Sequence, residues 1–158
     1  WIKSDSSKYE PDEKFDLIFS CPPYYQVEEY LDYDGIIPPG ELNSIPTYNE
    51  FRDTLFAGYK LGLKALKDNC FFVVMTGDSR DKNGAYYGCE AEHELFFRDQ
   101  GLSIYNKIIY LECEFTRLAQ AKVTLNYRKF PKREQKILVF YKGDISKISE
   151  LNPTVGRL

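Results

Sequence analysis

No two cysteines of this chain stand in a C-x-x-C arrangement. Cys21, Cys70, Cys89 and Cys113 are widely scattered, which argues against a zinc site or a compact disulfide framework and fits a reducing cytosol. No apolar run approaches the length that spans a bilayer, and no signal-peptide pattern is present. A cytoplasmic location away from membranes is therefore the expectation. An excess of either charge is lacking too. The net charge of -3 gives no global pull toward nucleic acid, so any such binding needs a local basic patch. Trp and Met occur once each, whereas there are 13 Tyr and 11 Phe, side chains that serve a core, an interface or a stacking surface equally well. A length of 158 residues suits one domain with its own core. No internal repeat, low-complexity tract or dividing linker interrupts it.

The chain starts at Trp1, not Met, and "WIKSDSS" reads as the end of a strand entering a polar turn. A piece of a longer protein is the expectation. "FDLIF" is a continuous apolar run of strand length, typical of a strand buried on both faces of a parallel sheet. The acidic, turn-rich stretch "QVEEYLDYDGIIPPGELNSIP" predicts a long ordered loop, a length that usually has a functional reason. A helix follows over "TYNEFRDTLFAGYKLGLKALKDN". Thr47 and Glu50 have capping-box spacing, Phe51, Leu55, Tyr59, Leu63 and Leu66 form one face, and Asp68 and Asn69 end it. "CFFVVMTGD" is a second apolar strand, and "AYYGCEAEHELFFRDQG" a second helix closed by Gly101. "LSIYNKIIYLEC" and "KILVFYKGD" are two more strands, and the tail from Ile145 is weakly patterned.

Strand, helix, strand, helix and two strands predict an α/β layered sheet. Ligands gather at the carboxyl ends of strands in such sheets. Three of those ends carry unusual chemistry: Asp5, the Ser20–Tyr25 segment, and Gly77-Asp78. They are expected to share a rim.

The middle one, "DLIFSCPPYY", needs a reason. Proline commonly terminates strands, and nearby tyrosines can simply cover a sheet edge. Here, however, the diproline directly follows an apolar strand at the end where α/β enzymes keep their sites. Proline lacks an N–H and holds φ fixed, so Pro22 and Pro23 offer rigid carbonyl acceptors beside an aromatic ring. That combination suits a planar group with N–H donors, such as an exposed nucleobase amino group.

"FDLIFSCPPYY" resembles motif IV of the amino-group DNA methyltransferases, in which Asp, Asn or Ser precedes Pro-Pro-Tyr or Pro-Pro-Phe. The succession that follows is similar as well: an acidic loop, a helix, a strand ending "GDSRDKNG", and "RKFPKREQKILVFYKGD" near the end. It looks like the phage and bacterial DNA methylases of this type, of the kind found in restriction–modification. The resemblance implies a partial Rossmann-like class I methyltransferase sheet made of its later strands. It implies S-adenosylmethionine as donor, and transfer to the exocyclic amino group of adenine or cytosine in DNA. In that reading the target base is flipped out, Tyr24 stacks on it, and the Pro22 carbonyl with residue 21 accepts from the amino group, so Cys21, Pro22, Pro23 and Tyr24 form the catalytic corner. Asp5 matches the acidic residue of the third cofactor motif, with Ser6, Ser20 and Cys21 completing the donor-side set. No metal is implied.

Two departures stand out. Cys21 replaces Asp, Asn or Ser, and a thiol is only a weak acceptor. The cytosine-C5 methyltransferases attack with a thiolate, but their order is Pro-Cys, whereas Cys21 precedes the prolines. The Gly-rich donor turn is also absent, because "TGDSRDKNG" has too few glycines and follows the wrong strand. The expectation is therefore a chain that begins two strands late, with the donor-binding strands upstream and weak donor binding by the fragment alone.

Arg117, Lys122, Arg128, Lys129, Lys132, Arg133 and Lys136 are concentrated in one stretch, with Tyr127 and Phe130 interleaved and Glu134 opposing. A solvated charged loop is the plain alternative to phosphate contact. Residues 1–144 are assigned to the catalytic domain, with 114–136 as its DNA-facing segment and 145–158 as a tail. His93, among Glu90, Glu92 and Glu94, is expected on the surface. Asp78 and Arg80 are expected to line the site or pair with each other. Glu28, Glu29, Asp32 and Asp34 lack calcium-loop spacing and are expected to be solvated. Tyr25 and Tyr30 either cover a flipped base or pack the loop. Two rival functions remain: a non-catalytic nucleic-acid-binding module on a methyltransferase scaffold, and an amino-group methyltransferase acting on RNA or protein.

Overall fold

The computed structural model describes residues 2, 4–27, 30, 31, 34–38, 40–112, 124–130 and 134–151. Four strands and two long helices alternate as expected: β1 (Phe15–Ser20), α1 (Tyr48–Ala65), β2 (Leu66–Thr76), α2 (Cys89–Asp99), β3 (Ser103–Leu111) and β4 (Glu134–Lys142). The sheet order is β1-β2-β4-β3, with β1 parallel to β2 and β4 antiparallel to both its neighbours. "WIKSDSS" contributes no strand among its described residues; Ser6–Lys8 form a turn instead.

The helices contribute to a core on one face of the sheet. Ile18, Phe72, Val74, Leu138 and Phe140 meet Tyr59, Leu63, Phe96 and Phe97 there. The Phe97 ring stacks on Phe140 at 4.1 Å and lies 4.7 Å from Phe72. Each such buried side chain contributes roughly 1.5–3 kcal/mol. Close approach depends on Gly62, because a Cβ there would stand 3.2 Å from the Phe72 ring.

The expectation that "FDLIF" is buried on both faces is corrected. Ile18 packs on the core, but Leu17 and Phe19 are 57% and 59% exposed. The physical reason is that alternation sends Leu17 and Phe19 to the face opposite the core, and the helices that build the core lie on the other face. An apolar run identifies a strand without saying which neighbours cover it.

α1 begins as its capping box predicts. The Thr47 hydroxyl accepts from the Glu50 amide at 3.3 Å and donates to the Glu50 carboxylate at 2.7 Å. Its end is earlier than expected, since Leu66 leaves the helix and enters β2 with no loop between them. The Lys142 ammonium donates to the carbonyls of Leu66 (2.7 Å) and Leu63 (3.4 Å), satisfying acceptors that the helix end leaves open. α2 starts only at Cys89, after Gly88 at φ 84°.

Candidate active site

β1 and β2 are parallel, and β3 shares their direction because both β2 and β3 run antiparallel to β4. The carboxyl ends of β1, β2 and β3 and the start of β4 therefore share one rim, where Thr76 faces Lys136 and Leu111 faces Glu134. The Ser20–Tyr25 corner and Gly77-Asp78 lie on it as predicted.

Cys21 is exposed, Pro22 buried, and Pro23 and Tyr24 half-buried. The Tyr24 carbonyl accepts from the Val27 amide at 3.1 Å, closing a turn in which Gln26 takes φ 55°. The Tyr24 hydroxyl donates to Gln135 Oε1 at 2.7 Å, and Gln135 Nε2 donates to Glu112 Oε1 at 2.9 Å. Neither Gln135 nor Glu112 stands out in the sequence. Tyr25 packs among Tyr48, Phe51 and Tyr87 and donates to the Pro46 carbonyl at 2.8 Å. Its role is core packing. Tyr30 is half-exposed and lines the cleft described next.

A cleft of about 830 Å³ opens beside the corner, lined by Ser4–Lys8, Pro23, Tyr30, Gly40–Leu42, Thr54 and Leu55 among others. Asp5 and Ser6 thus lie on the same cleft as Pro23. Gly58 lets the turn sit close to α1, because a Cβ there would stand 3.3 Å from the Ser6 carbonyl oxygen. The Asp5 carboxylate accepts from the Ser7 amide (2.9 Å) and hydroxyl (2.7 Å) and pairs with Lys8 at 2.8 Å. The Lys8 and Ser7 bonds hold its pKa down at about 2.

Ser20, half-buried at the end of β1, does not line that cleft. Burial raises the pKa of Tyr59. Tyr59 meets His93, so the expectation of a surface histidine is corrected: His93 is buried. The three glutamates near it in sequence are held by partners other than His93. Glu92 pairs with Arg52 at 3.1 Å and Tyr48 at 2.5 Å, and Glu90 and Glu94 pair with Lys107.

Asp78 and Arg80 do not pair. The Asp78 carboxylate accepts from the amides of Ser79 (3.0 Å), Gly88 (3.0 Å) and Cys89 (3.3 Å), capping α2. The Arg80 guanidinium lies 3.6 Å over the Tyr86 ring and donates to the Gly84 carbonyl. Among the basic residues, Arg128 is exposed, as are Tyr127 (72%) and Phe130 (83%), whereas Lys129 is half-buried with its ammonium end against Gly84. Lys136 pairs with Glu134 at 2.7 Å. Arg117, Lys122, Lys132 and Arg133 lie outside the described residues, as do Glu28, Glu29 and Asp32.

Among solved structures, the chain is similar to PvuII DNA methyltransferase (cytosine-N4-specific). The match covers 94% of this chain and 51% of that one, at 18% identity and a TM-score of 0.60. It is also similar to TTHA0409 of Thermus thermophilus, provisionally named a DNA modification methylase, in its complex with S-adenosyl-L-methionine. That match covers 89% of this chain and 54% of the other, at 18% identity and a TM-score of 0.59. The chain spans about half the length of the solved structures it matches. No family model and no curated protein matches the sequence. The fold is that of a partial methyltransferase sheet with flanking helices, in agreement with the resemblance drawn from "FDLIFSCPPYY".

Proposed function

We propose that this chain is the catalytic portion of an S-adenosylmethionine-dependent DNA methyltransferase that modifies the exocyclic amino group of adenine or cytosine. One observation supports this above the others: Cys21-Pro22-Pro23-Tyr24 sits at the carboxyl end of β1 in a methyltransferase-type sheet, with Pro23 on the wall of a substantial cleft. The cleft lies within the usual size range of small-molecule sites. Its lining mixes the hydroxyls of Ser4, Ser6, Ser7 and Thr54 with the apolar Leu55 and Pro23, which fits a donor having a ribose, a heterocycle and a charged tail. When bound, the donor supplies an electrophilic methyl group.

The chain's own residues bind and aim the nucleophile. Extruding a base takes roughly a few kcal/mol, and stacking on Tyr24 offsets about 1–3 kcal/mol of it. The Pro22 carbonyl accepts from the amino group and turns its nitrogen lone pair toward the methyl. Cys21 assists only weakly, since a thiol is a poor acceptor. Catalysis is then mainly orientation and electrostatics. Arg128 and Lys129, with the other basic residues of the 114–136 segment, contact phosphates.

A second reading, a DNA-binding module without transfer, draws on the Asp5 carboxylate being committed to its own turn. One assay separates the two: transfer from labelled S-adenosylmethionine to duplex DNA, by the full-length protein and by Tyr24→Ala. Transfer that falls at least tenfold in Tyr24→Ala supports the enzyme. DNA binding without transfer supports the module, and full transfer by Tyr24→Ala removes the proposed mechanism.

A further inference from the structure

The bond from Tyr24 to Gln135 joins residues 111 positions apart, and its direction is fixed by what lies behind it. A carboxylate such as Glu112 only accepts, so the Gln135 Nε2 must face it at 2.9 Å. The amide oxygen then faces Tyr24, and the phenol must donate. The result is a three-residue chain from the end of the β1 corner, through the start of β4, to the residue after β3. It ties down the ring at its far end, which rotation about χ1 would move most, while the hydroxyl itself lies on the χ2 axis. Glu112 and Gln135 also bracket the stretch that carries the basic residues from Arg117 to Arg133.

We propose that Gln135 and Glu112 are positioning residues that hold the Tyr24 ring in its base-stacking pose and link that pose to the two ends of the basic segment. The inference rests on the methyltransferase reading and deepens it. A ring whose χ1 is held before the base arrives loses less rotational freedom on stacking, which favours the oriented complex over an unaligned one. The effect belongs on the oriented, flipped state and thus on kcat. DNA affinity, set mainly by phosphates, moves little.

The test uses the full-length protein with labelled S-adenosylmethionine and plasmid DNA from a methylase-deficient host. Tyr24→Phe, Gln135→Leu and their double variant are compared by kcat, KM for DNA and Tm. Each single substitution is expected to lower kcat about five- to tenfold, the worth of one hydrogen bond. KM should stay within about twofold, and the double variant should be no slower than the worse single one. Glu112→Gln, which keeps an acceptor oxygen, should lose less than Glu112→Leu. Multiplying losses in the double variant, or unchanged kcat in Tyr24→Phe, overturns the proposal. Should Gln135→Leu not fold, Tyr24→Phe, which keeps every backbone bond of the sheet, decides alone. Wild-type protein that transfers nothing removes the methyltransferase reading instead. The Tm values then decide the tether, and strictly additive shifts refute it.

Discussion

The Tyr59 hydroxyl lies 3.4 Å from Nε2 of His93, both residues buried beneath the β1 corner. His93 Nδ1 is 2.7 Å from the Cys89 carbonyl, so that nitrogen carries the proton and Nε2 is left to accept from Tyr59. The Tyr59 hydroxyl thus links α1 to α2 by donating to a neutral imidazole. Protonating Nε2 would force that bond to reverse and would put a charge in the core.

Acid should therefore weaken the fold in a definite window. Burial lowers the His93 pKa, against smaller opposing contributions from the Cys89 carbonyl and Glu92. The unfolded chain then binds the proton more readily than the folded one. The stability at stake is fully present above the unfolded value of about 6.5 and is lost as pH falls toward the lower folded value, by at most about 1.4 kcal/mol per pH unit. His93 is the single histidine of the chain, and Asp5, Asp81 and Asp144, whose pKa values are lowered, act in a more acidic range. Thermal unfolding between pH 5 and 7 should show a decline that His93→Gln flattens. An equal slope in that variant would refute the assignment.

Asp78 and Arg80, close in sequence, should differ sharply in worth. Asp78→Ala strips acceptors from the amides that open α2 and should cost about 1–2 kcal/mol. Arg80→Ala loses an exposed contact with Tyr86 and should cost about 0.5–1 kcal/mol. Urea midpoints of the two variants provide the comparison, and equal losses would contradict the capping role.

The two faces of the sheet should differ just as clearly. Phe72 is 1% exposed and touches Tyr59 and Phe97, so Phe72→Ala should cost about 3–5 kcal/mol. Phe19, 59% exposed, should cost under about 1 kcal/mol when changed to alanine. Comparable destabilisation by both substitutions would mean that Phe19 is covered in solution.

Much of this architecture is legible in the sequence because local patterns dictate it. Thr47 and Glu50 announce the start of α1, and Gly101, at φ 84°, follows the end of α2. The end of α1 is not, because Leu66 satisfies both the helical face and the strand that follows. The glutamate neighbours of His93 mislead, although Cys89, His93, Phe96 and Phe97 form a buried stripe at helical spacing. The exposure of Leu17 and Phe19 depends on what packs over that face of the sheet, which no local pattern records. Gln135 and Glu112 give no signal at all, since their value arises only when the β1 corner meets the far end of the chain.

The basic segment makes the last prediction, and salt is the discriminating variable. A protein that neutralises phosphates releases condensed counterions, so log K for duplex DNA falls with log salt by about 0.9 per phosphate contact. Arg128 is exposed and Lys129 half-buried beside the exposed rings of Tyr127 and Phe130, in an otherwise acidic chain. Arg128→Ala with Lys129→Ala should weaken binding at all sequences alike and flatten the slope by about 2. Arg128 takes φ 55°, which alanine tolerates poorly, so Arg128→Gly is the companion control for backbone strain. Fluorescence anisotropy between 50 and 200 mM salt, on the order of the range where such contacts act, measures both slopes. A slope unchanged in both variants would show that these cations are merely solvated.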